Sequence, residues 1–221
     1  MKHRFTLGTL LGATAAMVAY RRGLRPWHER WGAADEEVAA SLPGDDLIVE
    51  PALQITRAIT VAARPEQVWA WVIQLGADRG GFYSYDRLEN VFGLGIHSAD
   101  EIVTEWEERA VGDLVHADAK GGYGWYVMDI QPAHALVMKM ANPEKARPFR
   151  RDEPPGYMEF TWSFVLQGRD DGTTRLIVRE RVAFGNPIGR LVFTPMGLVS
   201  FVMTQKMMRG IKERAEKTNP R

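Results

Sequence analysis

The stretch from Tyr157 to Val182 constrains the fold more than any other. Met158, Phe160, Trp162, Phe164 and Leu166 alternate with Glu159, Thr161 and Ser163, the period of a strand with one apolar face. Asp170-Asp171-Gly172 supplies a turn, and Thr174 to Val182 returns as the paired strand. The return strand has two phases. Leu176, Val178, Glu180 and Val182 form one; Arg175, Ile177, Arg179 and Arg181 form the other. Burying the first encloses one charge and burying the second encloses three. An unpaired buried charge costs several kcal/mol, so the first phase is expected to face inward.

More strands surround this hairpin. Ile55, Arg57, Ile59 and Val61 alternate with Thr56, Ala58 and Thr60. Leu114 to Ala117 follows a Gly112-Asp113 turn, and Leu136, Met138 and Met140 follow Pro132-Ala133-His134. Tyr123 to Ile130 is also a strand, with its parity open: either Tyr123, Trp125, Val127 and Asp129 face inward, or Tyr126, Met128 and Ile130 do. Residues 142–156, with four prolines and many charges, read as a loop. Pro65 opens a helix whose Val68, Trp71, Val72 and Leu75 form an apolar stripe. Ser84 is expected to cap a second, short helix through Asn90. Thr194-Pro195 starts a long helix to about Lys217, expected to bury Leu198, Val199, Val202, Met203 and Ile211.

Strand, two helices, about six more strands and one long helix make an α+β chain. Consecutive strands with short turns give a curved antiparallel sheet of about seven strands, and only the long C-terminal helix is large enough to cover its apolar face. A curved sheet around one helix need not fill its interior, so the arrangement predicts an apolar cavity.

Composition removes alternatives. The 221 residues carry 28 Lys+Arg against 28 Asp+Glu and no cysteine. Neutrality argues against a nucleic-acid partner. The lack of cysteine removes disulfides, thiolate nucleophiles and thiolate metal sites. His97-x-x-Asp100 and His116-x-Asp118 lack a third ligand at credible spacing, and no Walker, dinucleotide or G-x-S-x-G motif is present. No metal and no cofactor is expected.

Three units follow from the pattern: an apolar N-terminal helix over 1–25, a connector over 26–52 with a short acidic helix near Asp35, and a domain over 53–217. Phe5 to Tyr20 is uncharged and flanked by Lys2, Arg4, Arg21, Arg22 and Arg25. As a helix it would rise about 24 Å against a bilayer core of about 30 Å. It reads as a short membrane anchor, a cleaved secretory signal or a helix docked on the protein. If it spans, the heavier cationic flank after it places the folded domain on the cytoplasmic side; if it is cleaved, the domain is exported.

Several stretches resemble the START-like (SRPBCC, helix-grip) superfamily and its polyketide cyclase/dehydrase-like bacterial members. They are Trp27-His28-Glu29-Arg30-Trp31-Gly32, Gly80-Gly81-Phe82-Tyr83-Ser84-Tyr85-Asp86 with Leu88-Glu89-Asn90, Ile96-His97-Ser98-Ala99-Asp100, Val111-Gly112-Asp113, and Gly210-Ile211-Lys212-Glu213-Arg214-Ala215-Glu216. The resemblance covers roughly residues 27–217 and implies the helix-grip fold. That superfamily mixes lipid carriers, hormone binders and aromatase/cyclases, so a shared fold leaves the reaction open.

The candidate ligand-binding residues are Tyr83, Tyr85, Asp86, His97, Trp125, Met138, Met140, Phe160, Trp162, Phe164 and Glu180. The aromatic and Met positions are the inward strand phases, each also able to be ordinary core. Tyr83, Tyr85, Asp86 and His97 form the densest polar cluster. On the short helix Asp86, Glu89 and Asn90 share a face. Glu180 is an inward carboxylate, either paired with an arginine at the rim or serving as an anchor or base. The expected function is binding or transport of a hydrophobic small molecule or lipid, with a membrane as partner through residues 5–20. The alternatives are a cyclase/dehydrase-like enzyme and a structural or stress-related membrane-associated domain.

Overall fold

The computed structural model describes residues 18–142, 144–150, 152–153, 158–189 and 196–218, with 12 and 15. Most of residues 5–20, and the Thr194-Pro195 helix start, lie outside the described residues. No helix among the described residues is long and apolar enough to cross a membrane.

The strands are β1 (Leu53–Val61), β2 (Leu114–His116), β3 (Gly124–Gln131), β4 (Ala135–Asn142), β5 (Arg147–Pro148), β6 (Met158–Gly168) and β7 (Thr174–Phe184). They form one open sheet in the order β1-β7-β6-β4-β3-β2, with β5 beside β4, and every pairing is antiparallel. The helices are α1 (Arg25–Glu29), α2 (Asp35–Ala39), α3 (Pro65–Ile73), α4 (Asp86–Val91) and α5 (Met196–Lys217). This is an α+β, helix-grip arrangement: an antiparallel sheet with a long C-terminal helix across its face.

The β6–β7 hairpin forms in the expected register, with Trp162 opposite Glu180 and Phe164 opposite Val178. The open parity of β3 is resolved by a bulge. Trp125 pairs with Met140 and Val127 with Met138, then the register shifts so that Ile130 pairs with Leu136. The extra residue lets Trp125, Val127 and Ile130 all join the inward core, so neither simple alternation describes the strand. Arg147–Pro148 adds a two-residue strand inside the segment expected to be a loop. Its pairing with Ala141 and Asn142 needs only a short stretch of extended backbone, which the surrounding prolines permit.

α3 begins at Pro65 as expected and buries Val68, Trp71 and Val72. It packs with Phe164, Leu166, Leu176, Met207, Met208 and Ile211 in one core. That core extends along the inner face of the sheet to Trp125, Phe160 and Trp162. It holds the C-terminal half of α5, the end of β6 and the start of β7.

Two expectations about the helices are corrected. Leu198, Val199 and Val202 are exposed on α5, whereas Ile211 is buried as expected, joined by Thr204, Met207, Met208 and Ala215. The inward face of the first turns is polar because a buried carboxylate requires its hydroxyls. Ser84 does not cap α4: Tyr85 holds that position without a side-chain bond, and Ser84 Oγ donates to the Met203 carbonyl.

The connector is part of the fold. It lies on the outer face of the sheet, where Leu42 packs with Ala58, Val165 and Ile177. The arginine phase of β7 is therefore buried as well. Arg179, 1% exposed, donates to the carbonyls of Glu37, Val38 and Ala40 and to Asp45. Three of these acceptors are carbonyls at the C-terminal end of α2, where orphan carbonyls and the helix dipole both favour a cation. Arg175 pairs with Glu37 at 2.6 Å and Arg181 with Asp45 at 2.9 Å. Both phases of β7 are thus enclosed, and each arginine has an acidic partner from the connector.

Candidate functional site

One face of the N-terminal half of α5 stands over a hollow, while its Phe201 packs against Trp27, His28 and Trp31. The hollow has two adjoining lobes that share Leu94, Trp125, Trp162, Met203 and Thr204 in their walls. The larger, about 480 Å³, lies between the start of β1, the end of β7, the start of β6 and α5. Met140, Phe160, Trp162 and Val182 are among its lining. The smaller, about 360 Å³, is walled by Phe82, Ser84, Glu89, Ile96, Asp118, Tyr123 and the shared residues. Trp125 is the hinge of the aromatic wall. Its ring centroid lies 5.2 Å from Trp162, 6.0 Å from Phe82 and 6.4 Å from Phe160.

One buried carboxylate borders each lobe, and their surroundings differ. Glu180, 4% exposed, borders the larger lobe. Its Oε1 accepts from Arg57 Nη1 at 2.8 Å and from Thr204 Oγ1 at 3.0 Å; its Oε2 accepts from Ser200 Oγ at 2.9 Å. Arg57 is itself anchored, its Nε donating to the His28 carbonyl at 3.0 Å and its guanidinium lying over the Phe201 ring. Glu180 is a closed network member set deep in the wall rather than a rim residue.

Glu89, 6% exposed, borders the smaller lobe from α4. Its Oε2 has no hydrogen-bond partner. Burial, reinforced by the Asp86 charge one turn away, pushes its carboxyl up to about 7 despite a hydrogen bond with Ser84. Tyr123, in the same lobe, is pushed up to about 12 by burial and stays a neutral phenol at physiological pH.

Of the sequence candidates, Trp125, Met140, Phe160, Trp162 and Glu180 line the hollow. Met138 and Phe164 are fully buried core residues that do not line it. Tyr83, Tyr85, Asp86 and His97 do not line the hollow. Tyr83 is a buried strut: its hydroxyl donates to the Trp71 carbonyl and accepts from Gln74 Nε2, with the Arg214 guanidinium over its ring. Tyr85 is exposed on a shallow polar groove with Asp86, Ser98, Lys206 and Arg214. Asp86 accepts from the Ser98 amide at 2.7 Å and hydroxyl at 2.6 Å, tying the following loop to α4. His97 is exposed. The polar cluster is therefore scaffolding for the wall around Phe82, not the wall itself. Among the described residues no group of three or more His, Asp or Glu is arranged to hold a metal ion.

Glu89, placed by the sequence on one helix face with Asp86 and Asn90 but outside the candidate set, is a residue of the wall. Its signal is inverted amphipathicity: on α4 the apolar Leu88 and Val91 are exposed and the acid is inside.

No family model matches this chain, and no curated protein does. Its shape is similar to solved bacterial structures. One, from Mesorhizobium loti, has 12% identity and a TM-score of 0.44 over 76% of this chain and 100% of its own. A hypothetical protein of Helicobacter pylori has 10% identity and a TM-score of 0.45 over 80% and 96%. A protein of the dynemicin biosynthetic locus has 17% identity and a TM-score of 0.39 over 72% of this chain and 47% of its own. The fold assignment rests on the strand order and register above rather than on these likenesses.

Proposed function

We propose that this chain is a START-like helix-grip domain that holds a hydrophobic small molecule or lipid between its sheet and C-terminal helix. The observation that carries this reading is the two-lobed hollow walled by Trp125, Trp162, Phe160, Met140 and Met203. A concave, largely apolar enclosure of several hundred Å³ with few polar groups is the general form of a small-ligand site. Met and Trp walls suit a ligand of variable shape, because thioethers adapt and indoles present broad faces. Residues 5–20, uncharged between basic flanks, would tether the domain to a membrane, with the arginines after them keeping it on the cytoplasmic side.

The cyclase/dehydrase alternative loses support from the placement of its acid–base set. Tyr83, Asp86 and Glu180 spend their polar atoms on structural bonds, and Tyr85 and His97 face away from the hollow.

Protein unfolded and refolded to strip any guest is titrated with the neutral fluorophore N-phenyl-1-naphthylamine. Saturable one-to-one binding with energy transfer from tryptophan is expected. Val182→Trp and Met140→Trp, each narrowing the larger lobe, should weaken it at least tenfold while the fold is kept. Non-saturable binding, or affinity indifferent to both substitutions, would refute the reading.

A further inference from the structure

The smaller lobe has an electrostatic character that the larger one lacks. Its charged lining residues, among those described, are Glu89 and Asp118; no lysine, arginine or histidine lines it. Glu180 next door has the Arg57 guanidinium and two hydroxyls. Glu89 has no cation, and one of its oxygens is buried without a donor. A buried carboxylate in that condition lacks a partner that a ligand can supply.

The rest of the wall favours the same kind of partner. Phe82, Tyr123, Trp125 and Trp162 surround the lobe, with Tyr123 6.3 Å from Trp125 and Phe82 6.2 Å from Trp162 between ring centroids. Ring faces carry negative potential and attract organic cations, most strongly where water is excluded. A carboxylate or phosphate head group would instead meet two acids with no compensating cation, the indole N–H groups of Trp125 and Trp162 being the neutral donors left unpaired there.

We propose that the smaller lobe receives the cationic amine end of an amphiphilic ligand, with Glu89 as its counter-ion and the aromatic wall around it. The larger lobe then takes the ligand's apolar body. This inference rests on the ligand-holding reading above and adds the chemical class of the guest.

Three ligands of equal chain length separate the two claims: decylamine, decanol and decanoate, each displacing N-phenyl-1-naphthylamine from the full chain at pH 8. Decylamine is expected to bind at least tenfold more tightly than decanol, with decanoate weakest. In Glu89→Gln the amine's advantage over decanol should shrink to within threefold. Asp118→Asn is the second variant, expected to reduce the advantage less than Glu89→Gln does. Decanoate matching decylamine, an absent amine preference in the wild type, or a preference that survives Glu89→Gln overturns the amine assignment. In those cases, binding of the fluorophore leaves the hydrophobic-guest reading standing. Failure of the fluorophore and all three ligands to bind overturns both.

Discussion

Arg57 and Glu180 form an ion pair on a diagonal of the β1–β7 ladder, 2.8 Å apart and closed off beneath the first turns of α5. The pair links the connector, through the His28 carbonyl, to the wall of the hollow. Its members are nearly inaccessible, so removing one strands the other. Arg57→Met or Glu180→Leu alone is expected to cost about 3–5 kcal/mol, whereas the double replacement recovers most of that loss. Urea denaturation across the double-mutant cycle measures this; equal and additive losses would show that the two residues act separately.

On the outer face the arginines of β7 predict a second dependence. Arg179 fixes the end of α2 with both terminal nitrogens of its guanidinium, while its Nε donates to Thr56 Oγ1. Arg179→Ala should destabilise the fold by about 3–5 kcal/mol, as expected for breaking a buried paired charge. It should also open the connector to proteolysis between residues 30 and 50. Arg175 holds the Glu37 carboxyl below the usual carboxylate range, its hydrogen bond being the largest cause. A depressed carboxyl contributes stability that is present above its unfolded value and is lost as pH falls through the folded one. Cleavage within the connector should therefore accelerate on acidification toward that lower value, and Glu37→Gln should abolish the pH step. A cleavage rate flat with pH would contradict the argument.

Much of this arrangement is legible from residues alone, and the failures have common causes. The inward phase of β7, the Pro65 helix start and the β6–β7 turn are local patterns, and the structure follows them. The burial of Arg175, Arg179 and Arg181 is not local. Their partners, Glu37, Asp45 and the carbonyls at the end of α2, lie far away in sequence, and carbonyls have no sequence signature. The first turns of α5 mislead for a related reason: Ser200 and Thr204 face inward to serve Glu180, so apolar counting misplaces Leu198, Val199 and Val202 while Ile211 is buried as expected. In β3, a bulge defeats any reading that assumes strict alternation.

Gly210 tests the close approach between α5 and the loop before α4. A methyl added there would sit 2.4 Å from the Tyr83 carbonyl oxygen and 2.7 Å from its Cβ. Tyr83 cannot retreat easily, because it holds φ +54 and its hydroxyl is bonded at both lone pair and proton. Alanine would gain about 1 kcal/mol of helix propensity over glycine. Overpacking against fixed backbone should outweigh this, for a net loss of about 1–3 kcal/mol. A thermal melt of Gly210→Ala at or above the wild-type midpoint would mean that the helix and loop separate without cost.

Glu89 gives the last prediction, and its sign opposes that of Glu37. Its carboxyl rises from 4.5 to about 7 on folding. Below the unfolded value both states are protonated and burial carries no electrostatic penalty. Between 4.5 and about 7 the unfolded chain releases its proton while the folded chain keeps it, so stability falls as pH rises. Above about 7 both states are ionised, and the penalty is constant at roughly 2 kcal/mol once solvent screening is allowed for. Glu89→Gln keeps the shape and removes the titration. In ligand-free protein it should raise the melting midpoint at pH 8 by roughly 5 °C, since about 2–4 °C accompanies each kcal/mol in a chain of this size. At pH 4 the two proteins should melt together. The difference should open across the interval between those pH values. A variant less stable than wild type at pH 8 would mean that Glu89 already has a cationic partner within the protein, and the case for a guest-supplied cation would go with it.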